Sequence, residues 1–242
     1  MPVIFWYELK RLIFNRLFIA LLIITGFYSY MTLSRETILG IAFTAPFSPW
    51  SFSAYLAKIL PLLMITLLFF ITLMYSNHEK QVGQLTFAAP ADPVSFVFIK
   101  CSAAAAGLFI MSLFVIALGT VFLALLFRFT GFGGYIMPVV IILVPCLLFV
   151  LGAGLLLGGL HASILYVLMA ASLLFAFLPL PSFFDLYGGR FFSTYPLTLP
   201  AGPDGEPALA LSASFILGRL SFCAAGVLML LLGIKRYDKR FL

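Results

Sequence analysis

Apolar residues in this chain run in long blocks, divided by short polar punctuation. Blocks at 17–33, 54–75, 94–127, 135–157, 162–180 and 210–234 have the length and composition of membrane-crossing helices, for which about 20 residues suffice at about 1.5 Å per residue. The third is longer than a bilayer core requires, so it is expected to tilt or protrude. Pro138 and Pro145 lie inside the fourth block. They are tolerable there only if neighbouring helices satisfy the backbone groups they free.

Residues 2–16 follow a different pattern. Phe5, Leu9, Leu12 and Ile13 repeat at helical spacing, and Glu8, Lys10, Arg11, Asn15 and Arg16 are polar. With Trp6 and Tyr7, residues that favour the headgroup layer, this predicts an interfacial helix leading into the first span. A cleaved signal peptide is the competing reading, but the charged region is long and no small-residue cleavage pattern follows the apolar run.

The longest polar interruption with a helical pattern of its own is 77–100, NHEKQVGQLTFAAPADPVSFVFIK. Val82, Leu85, Phe87 and Ala89 can share one side of a short helix, opposite His78, Glu79, Lys80, Gln81 and Gln84. Pro90 and Pro93 stop that helix, and the next span starts at about Val94. A short amphipathic rod of this kind suits docking to a soluble partner. It equally suits a surface helix with no partner.

Two other loops carry information. The one after Ser34-Arg35-Glu36 holds Pro46 and Pro49 around Trp50 and is expected to lie at the outer interface. In Pro181–Leu209 the front half, PSFFDLYGGRFFSTY, is too aromatic for a solvated loop and is expected to dip back into the membrane; the rear half, PAGPDGEP, reads as turns.

Composition agrees with the membrane class. The 242 residues are 64% hydrophobic and 9% charged, with a mean hydropathy of +1.19, against about 25% charged in soluble domains. We read a single transmembrane domain over 1–242. The net charge of +6 argues for orientation in the bilayer and against nucleic acid, because the basic residues sit at the ends of the apolar blocks. Nine of the fourteen (Lys10, Arg11, Arg16, Lys80, Lys100, Lys235, Arg236, Lys239, Arg240) fall on the side of the termini. Arg35, Arg128 and Arg190 fall on the other, which makes the termini cytoplasmic. Cys101, Cys146 and Cys223 are isolated and read as packing residues.

The motifs of soluble and intramembrane enzymes are missing. There is no GxxxxGK[ST], HExxH or GxSxG sequence, and no facing pair of acids or histidines. The chain is therefore not expected to be an enzyme or to hold a metal. His78 and His161 read as solvated. No acidic residue lies inside an expected span, which disfavours proton or sodium coupling and leaves the energy source outside the chain. Lys58 lies one turn inside the second span and can reach outward. Arg219, two turns into the last span, is the remaining intramembrane charge. It could meet an anionic substrate group or a carbonyl of the aromatic segment; the alternative is a structural partner for Asp185 or Glu36. Gly154-Leu-Leu-Leu-Gly158 and Ala103-Ala-Ala-Ala-Gly107 permit close helix approach.

The order of an interfacial helix, two spans, a cytoplasmic rod reading Glu79-x3-Gly83-x-Leu85-x4-Pro90-x5-Phe96-x3-Lys100, four more spans and a basic tail resembles the membrane subunit of type-2 ABC exporter permeases along essentially the whole chain. The resemblance implies that the loop over 77–93 is a coupling helix, with Glu79, Lys80, Gln81, Val82, Gly83, Gln84, Leu85 and Pro90 as its ATPase-facing residues. It departs from the family pattern in acidic content, with Glu79 alone where relatives often have two or three acids. It further implies two copies of a separate ABC ATPase carrying ATP and Mg, a second identical or related permease subunit, and a plasma-membrane location. With 28 Phe and 10 Tyr, a hydrophobic or amphipathic cargo such as a peptide, drug or lipid is expected; the family analogy leans toward peptides such as bacteriocins. A membrane scaffold or assembly factor, or a secondary transporter, would share the topology without an ATPase.

Overall fold

The computed structural model describes residues 2–76, 93–200, 202 and 206–238. The expected rod, with Glu79, Lys80, Gln81, Val82, Gly83, Gln84, Leu85 and Pro90, lies outside the described residues. Helices α1 (Pro2–Ile13), α2 (Arg16–Arg35), α3 (Pro49–Met74), α4 (Pro93–Phe127), α5 (Ile136–Gly158), α6 (Ser163–Phe177), α7 (Gly189–Thr194) and α8 (Ala213–Asp238) follow one another along the chain. Single 3-10 turns cover Thr37–Leu39, Phe132–Tyr135 and Tyr195–Thr198. Among the described residues five stretches are long and apolar enough to cross a membrane: Arg16–Leu39, Pro49–Met74, Val94–Phe127, Phe132–Gly158 and Ala213–Arg236. The chain is an all-α, multi-pass membrane protein. The fifth expected span is shorter than read from the sequence, because α6 ends at Phe177, before the Pro179 and Pro181 that cannot continue it.

Local signals set the helix starts. The Asn15 side chain accepts the Leu17 N–H at 3.0 Å, so the chain turns between α1 and α2. Ser48 accepts the Trp50 N–H at 3.3 Å and Pro49 occupies the first turn of α3. The second span thus begins at Pro49, earlier than the expected 54, and Trp50 is fully buried on it where an interfacial loop residue was expected.

α3 is the central column. Most of its residues from Trp50 to Met74 are buried, whereas α2 and α8 turn large apolar side chains such as Phe27, Leu217 and Leu228 outward, as a lipid-facing surface does. Small residues let other helices close on it. An added Cβ on Gly107 of α4 would meet Phe70 at 2.9 Å, on Gly154 of α5 it would meet Ile71 at 2.6 Å, and on Gly158 it would meet Tyr75 at 2.6 Å. The two small-residue stretches noted in the sequence therefore serve packing within the chain. α5 and α8 cross most closely, at Gly152 and Gly226, where a Cβ on Gly152 would lie 2.2 Å from the Gly226 carbonyl oxygen. Tyr55 ties α2, α3 and α4 through a hydrogen bond with Ser29 and a 2.9 Å donation to the Val115 carbonyl.

The two ends of the bundle differ. One carries α1 and the start of α4. The other carries the loop after α2 and the long segment between α6 and α8. At that second end Tyr135 donates to the Phe47 carbonyl at 2.7 Å, Glu206 accepts the Ala45 N–H at 2.7 Å, and Trp50 Nε1 donates to the Pro207 carbonyl at 3.0 Å.

Candidate functional site

Arg219 stands in the second turn of α8 and is buried, 5% exposed. Its guanidinium Nη1 donates to the Leu186 carbonyl and lies 3.8 Å from Cys146 Sγ, and the cation sits 4.4 Å from the centre of the Phe215 ring. Among the described residues Nε and Nη2 have no hydrogen-bond partner. A buried charge is costly in a low-dielectric interior and normally gathers every available acceptor, so this one is under-supplied. Asp185, one of its expected partners, accepts instead from the backbone N–H groups of Gly188 at 2.8 Å, Arg190 at 3.1 Å and Phe191 at 3.2 Å. Glu36, the other, pairs with Lys58. Arg219 thus meets the carbonyl of the aromatic segment, the contact weighed in the sequence beside an anionic substrate group.

That segment folds inward. Cys146, ten residues along the 23-residue α5, donates its thiol to the Leu186 carbonyl at 2.8 Å, placing the chain about 15 Å below the start of that helix. The turn that returns it is made by Gly188 at φ +79°, where an added Cβ would lie 2.7 Å from Arg219 Nη2. Glycine is required there for the left-handed backbone as well as for the space. Beyond the turn, α7 presents Phe191 and Phe192, both buried, to Trp50 at ring separations of 6.3 and 6.1 Å. Phe191 also stacks on Phe215 at 4.0 Å. On the side toward α6, Tyr187 and Ser172 share a 2.8 Å hydrogen bond.

Lys58 is a different kind of charge. It lies on α3 beside the end of α2 and pairs with Glu36, their side chains 37% and 50% exposed, a position consistent with outward reach from the bundle.

A buried ion pair lies at the opposite end. Glu8 of α1 pairs with Arg11 at 3.0 Å and with Lys100 of α4 at 3.9 Å, and Lys100 lies 4.5 Å from the centre of the Phe96 ring. Glu8 is 7% and Lys100 3% exposed. Sequence reasoning listed both as polar or orienting residues and did not join them. The available signal was an acid on the interfacial helix and a lysine seven residues inside an apolar block.

Among the described residues no group of three or more His, Cys, Asp or Glu side chains is placed to hold a metal ion. The Arg219 site offers a buried positive charge and hydrogen-bond donors between α5, α8 and the inward-folded segment. No family model, curated protein or solved structure matches the chain.

Proposed function

We propose that the chain is the permease subunit of an ATP-driven exporter, similar to the type-2 ABC membrane subunits, which moves a hydrophobic or amphipathic substrate out of the cytoplasm. The observation that carries the reading is the pairing of α1 with the root of α4. Glu8, held within α1 by Arg11, pairs with Lys100 and so links the amphipathic helix to the helix that leaves the polar stretch over 77–92. A push on that stretch would therefore move α1 and α4 together, and through α3 the rest of the bundle.

In this reading Glu79, Lys80, Gln81, Val82, Gly83, Gln84, Leu85 and Pro90 meet a separate ATPase, of which two copies act with two permease subunits. ATP and Mg are bound on that partner, and this chain catalyses no reaction. The termini lie in the cytoplasm and the protein in the plasma membrane, so the inward-folded segment over 178–200 enters the bilayer from outside. Arg219 then holds the outer end of the substrate path. The test is co-purification with a candidate ATPase, followed by ATP-driven transport in proteoliposomes for Glu79→Ala and Gly83→Pro. Transport is expected to fall while the permease still folds. If complex formation and transport both survive, the coupling assignment is wrong.

A further inference from the structure

Two cavities meet at Leu180. The deeper, of about 330 Å³, runs between α5, α6 and α8 and is walled by Leu68, Val150, Ala153, Leu168 and Ala171. It is about 10 Å tall, the rise from Leu168 to Phe175 along α6. Its hydroxyls, from Ser172 and Tyr187, bond to each other and to the Ser172 carbonyl. An occupant therefore needs no hydrogen-bonding groups. Phe175, 48% exposed, and Phe184, 58% exposed, line it as well, so its exposed rim is apolar, like the outward side chains Leu174 and Phe177 of α6.

The second cavity, of about 390 Å³, lies on the other side of Leu180 and is polar. Arg190, Ser182 and Thr194 line it with Pro179 and Pro181. Arg190 Nη1 donates to the Pro179 carbonyl at 2.9 Å, which ties the exposed guanidinium to the wall of the cup. An apolar slot reached from the hydrocarbon and a cationic cup directly adjoining it have the two-part shape of an amphiphile with a negative head.

We infer that these cavities form a binding site for one anionic phospholipid, its phosphate at Arg190 and one acyl chain in the slot beside Ala171. A peptide would leave backbone donors and acceptors unmet in the slot, and a zwitterionic headgroup would bring a quaternary ammonium, beside its phosphate, to a cup that already holds the Arg190 cation. The site needs only that the chain spans a membrane, and it stands or falls apart from the exporter reading.

The test is native mass spectrometry of the purified chain titrated with palmitoyl-oleoyl phosphatidylglycerol or phosphatidylcholine, with glycerol phosphate as a soluble headgroup arm. One tight phosphatidylglycerol site is expected, about tenfold stronger than for phosphatidylcholine. Arg190→Gln should erase that preference. Ala171→Phe, which fills the slot, should weaken both lipids by about tenfold. Circular dichroism confirms the fold of each variant. If Ala171→Phe does not fold, a phosphatidylglycerol carrying a diazirine on its acyl chain replaces it, and labelling is expected on α6 between Leu168 and Phe175. A preference that survives Arg190→Gln, lipid binding indifferent to Ala171→Phe, label spread evenly over the lipid-facing helices, or glycerol phosphate competing as well as the whole lipid would each overturn the site. So would a dimer of this chain that excludes the lipid.

Discussion

The Arg219 guanidinium donates to the carbonyl of Leu186, 33 positions earlier in the chain, and Cys146 donates to the same oxygen. One backbone carbonyl thus joins α5, α8 and the inward-folded segment. It is the point at which that segment is held to depth.

Replacing the cation should release the segment without unfolding the protein. A hydrogen bond to a charged group contributes about 1.5–3 kcal/mol, which corresponds to roughly 10- to 100-fold in a local opening equilibrium. In Arg219→Met, amide exchange over residues 186–192 is expected to accelerate by about that factor. The melting temperature should change little, because the two unmet donors on Nε and Nη2 disappear with the charge. Exchange that stays at the parental rate would show that the carbonyl contact does not hold the segment.

The turn at Gly188 makes a sharper comparison. Gly188→Ala puts a Cβ within 2.9 Å of Phe192 and 2.7 Å of Arg219 Nη2 in a left-handed conformation, which alone costs about 1–2 kcal/mol. Gly189→Ala meets nothing within 4 Å and lies in α7, where alanine is favoured over glycine by up to about 1 kcal/mol. Thermal melts of the two variants should move in opposite directions.

The α5–α8 crossing is equally specific. A methyl group on Gly152 would overlap the Gly226 carbonyl, and one on Gly226 would lie 2.5 Å from the Leu148 carbonyl carbon. Either alanine variant should lose about 1–3 kcal/mol, the usual range for overpacking. Gly133→Ala, in open space, should be neutral. Unfolding in detergent, followed by circular dichroism, gives the ranking.

At the other end, Glu8 and Lys100 should behave as a coupled pair. Removing one partner of a buried ion pair costs about 3–5 kcal/mol, while an apolar replacement of both is often neutral. Lys100→Met and Glu8→Leu alone should therefore each destabilise more than the double variant. Arg11 at 3.0 Å from Glu8 will blunt the Lys100 effect, and a double-mutant cycle measures by how much. Additive losses would mean that α1 is not held to α4 through this pair.

The helix boundaries were legible in hydropathy to within a few residues, since α2, α4 and α5 at 16–35, 93–127 and 136–158 nearly coincide with the apolar blocks. The early start of α3 was also written in the chain, as Ser48-Pro49, a capping residue before a first-turn proline; two nearby prolines made it read as loop. Which helix is central was not legible, because a helix facing lipid and a helix facing protein have the same apolar composition. The partner of Arg219 was hidden for another reason. A backbone carbonyl has no signature in sequence, so the visible acids Asp185 and Glu36 stood out as partners, and both had closer obligations. Gly152 and Gly226 were likewise unmatched, because their complementarity depends on a crossing angle that neither helix records alone.

Trp50 lies fully buried with its ring against Phe191, Phe192 and Tyr195, and the other tryptophan, Trp6, is 61% exposed at the far end of the bundle. The chain therefore carries its own optical gauge. With Trp6 changed to Phe, the emission of a single indole reports whether the inward-folded segment is seated or withdrawn, in real time and without a label.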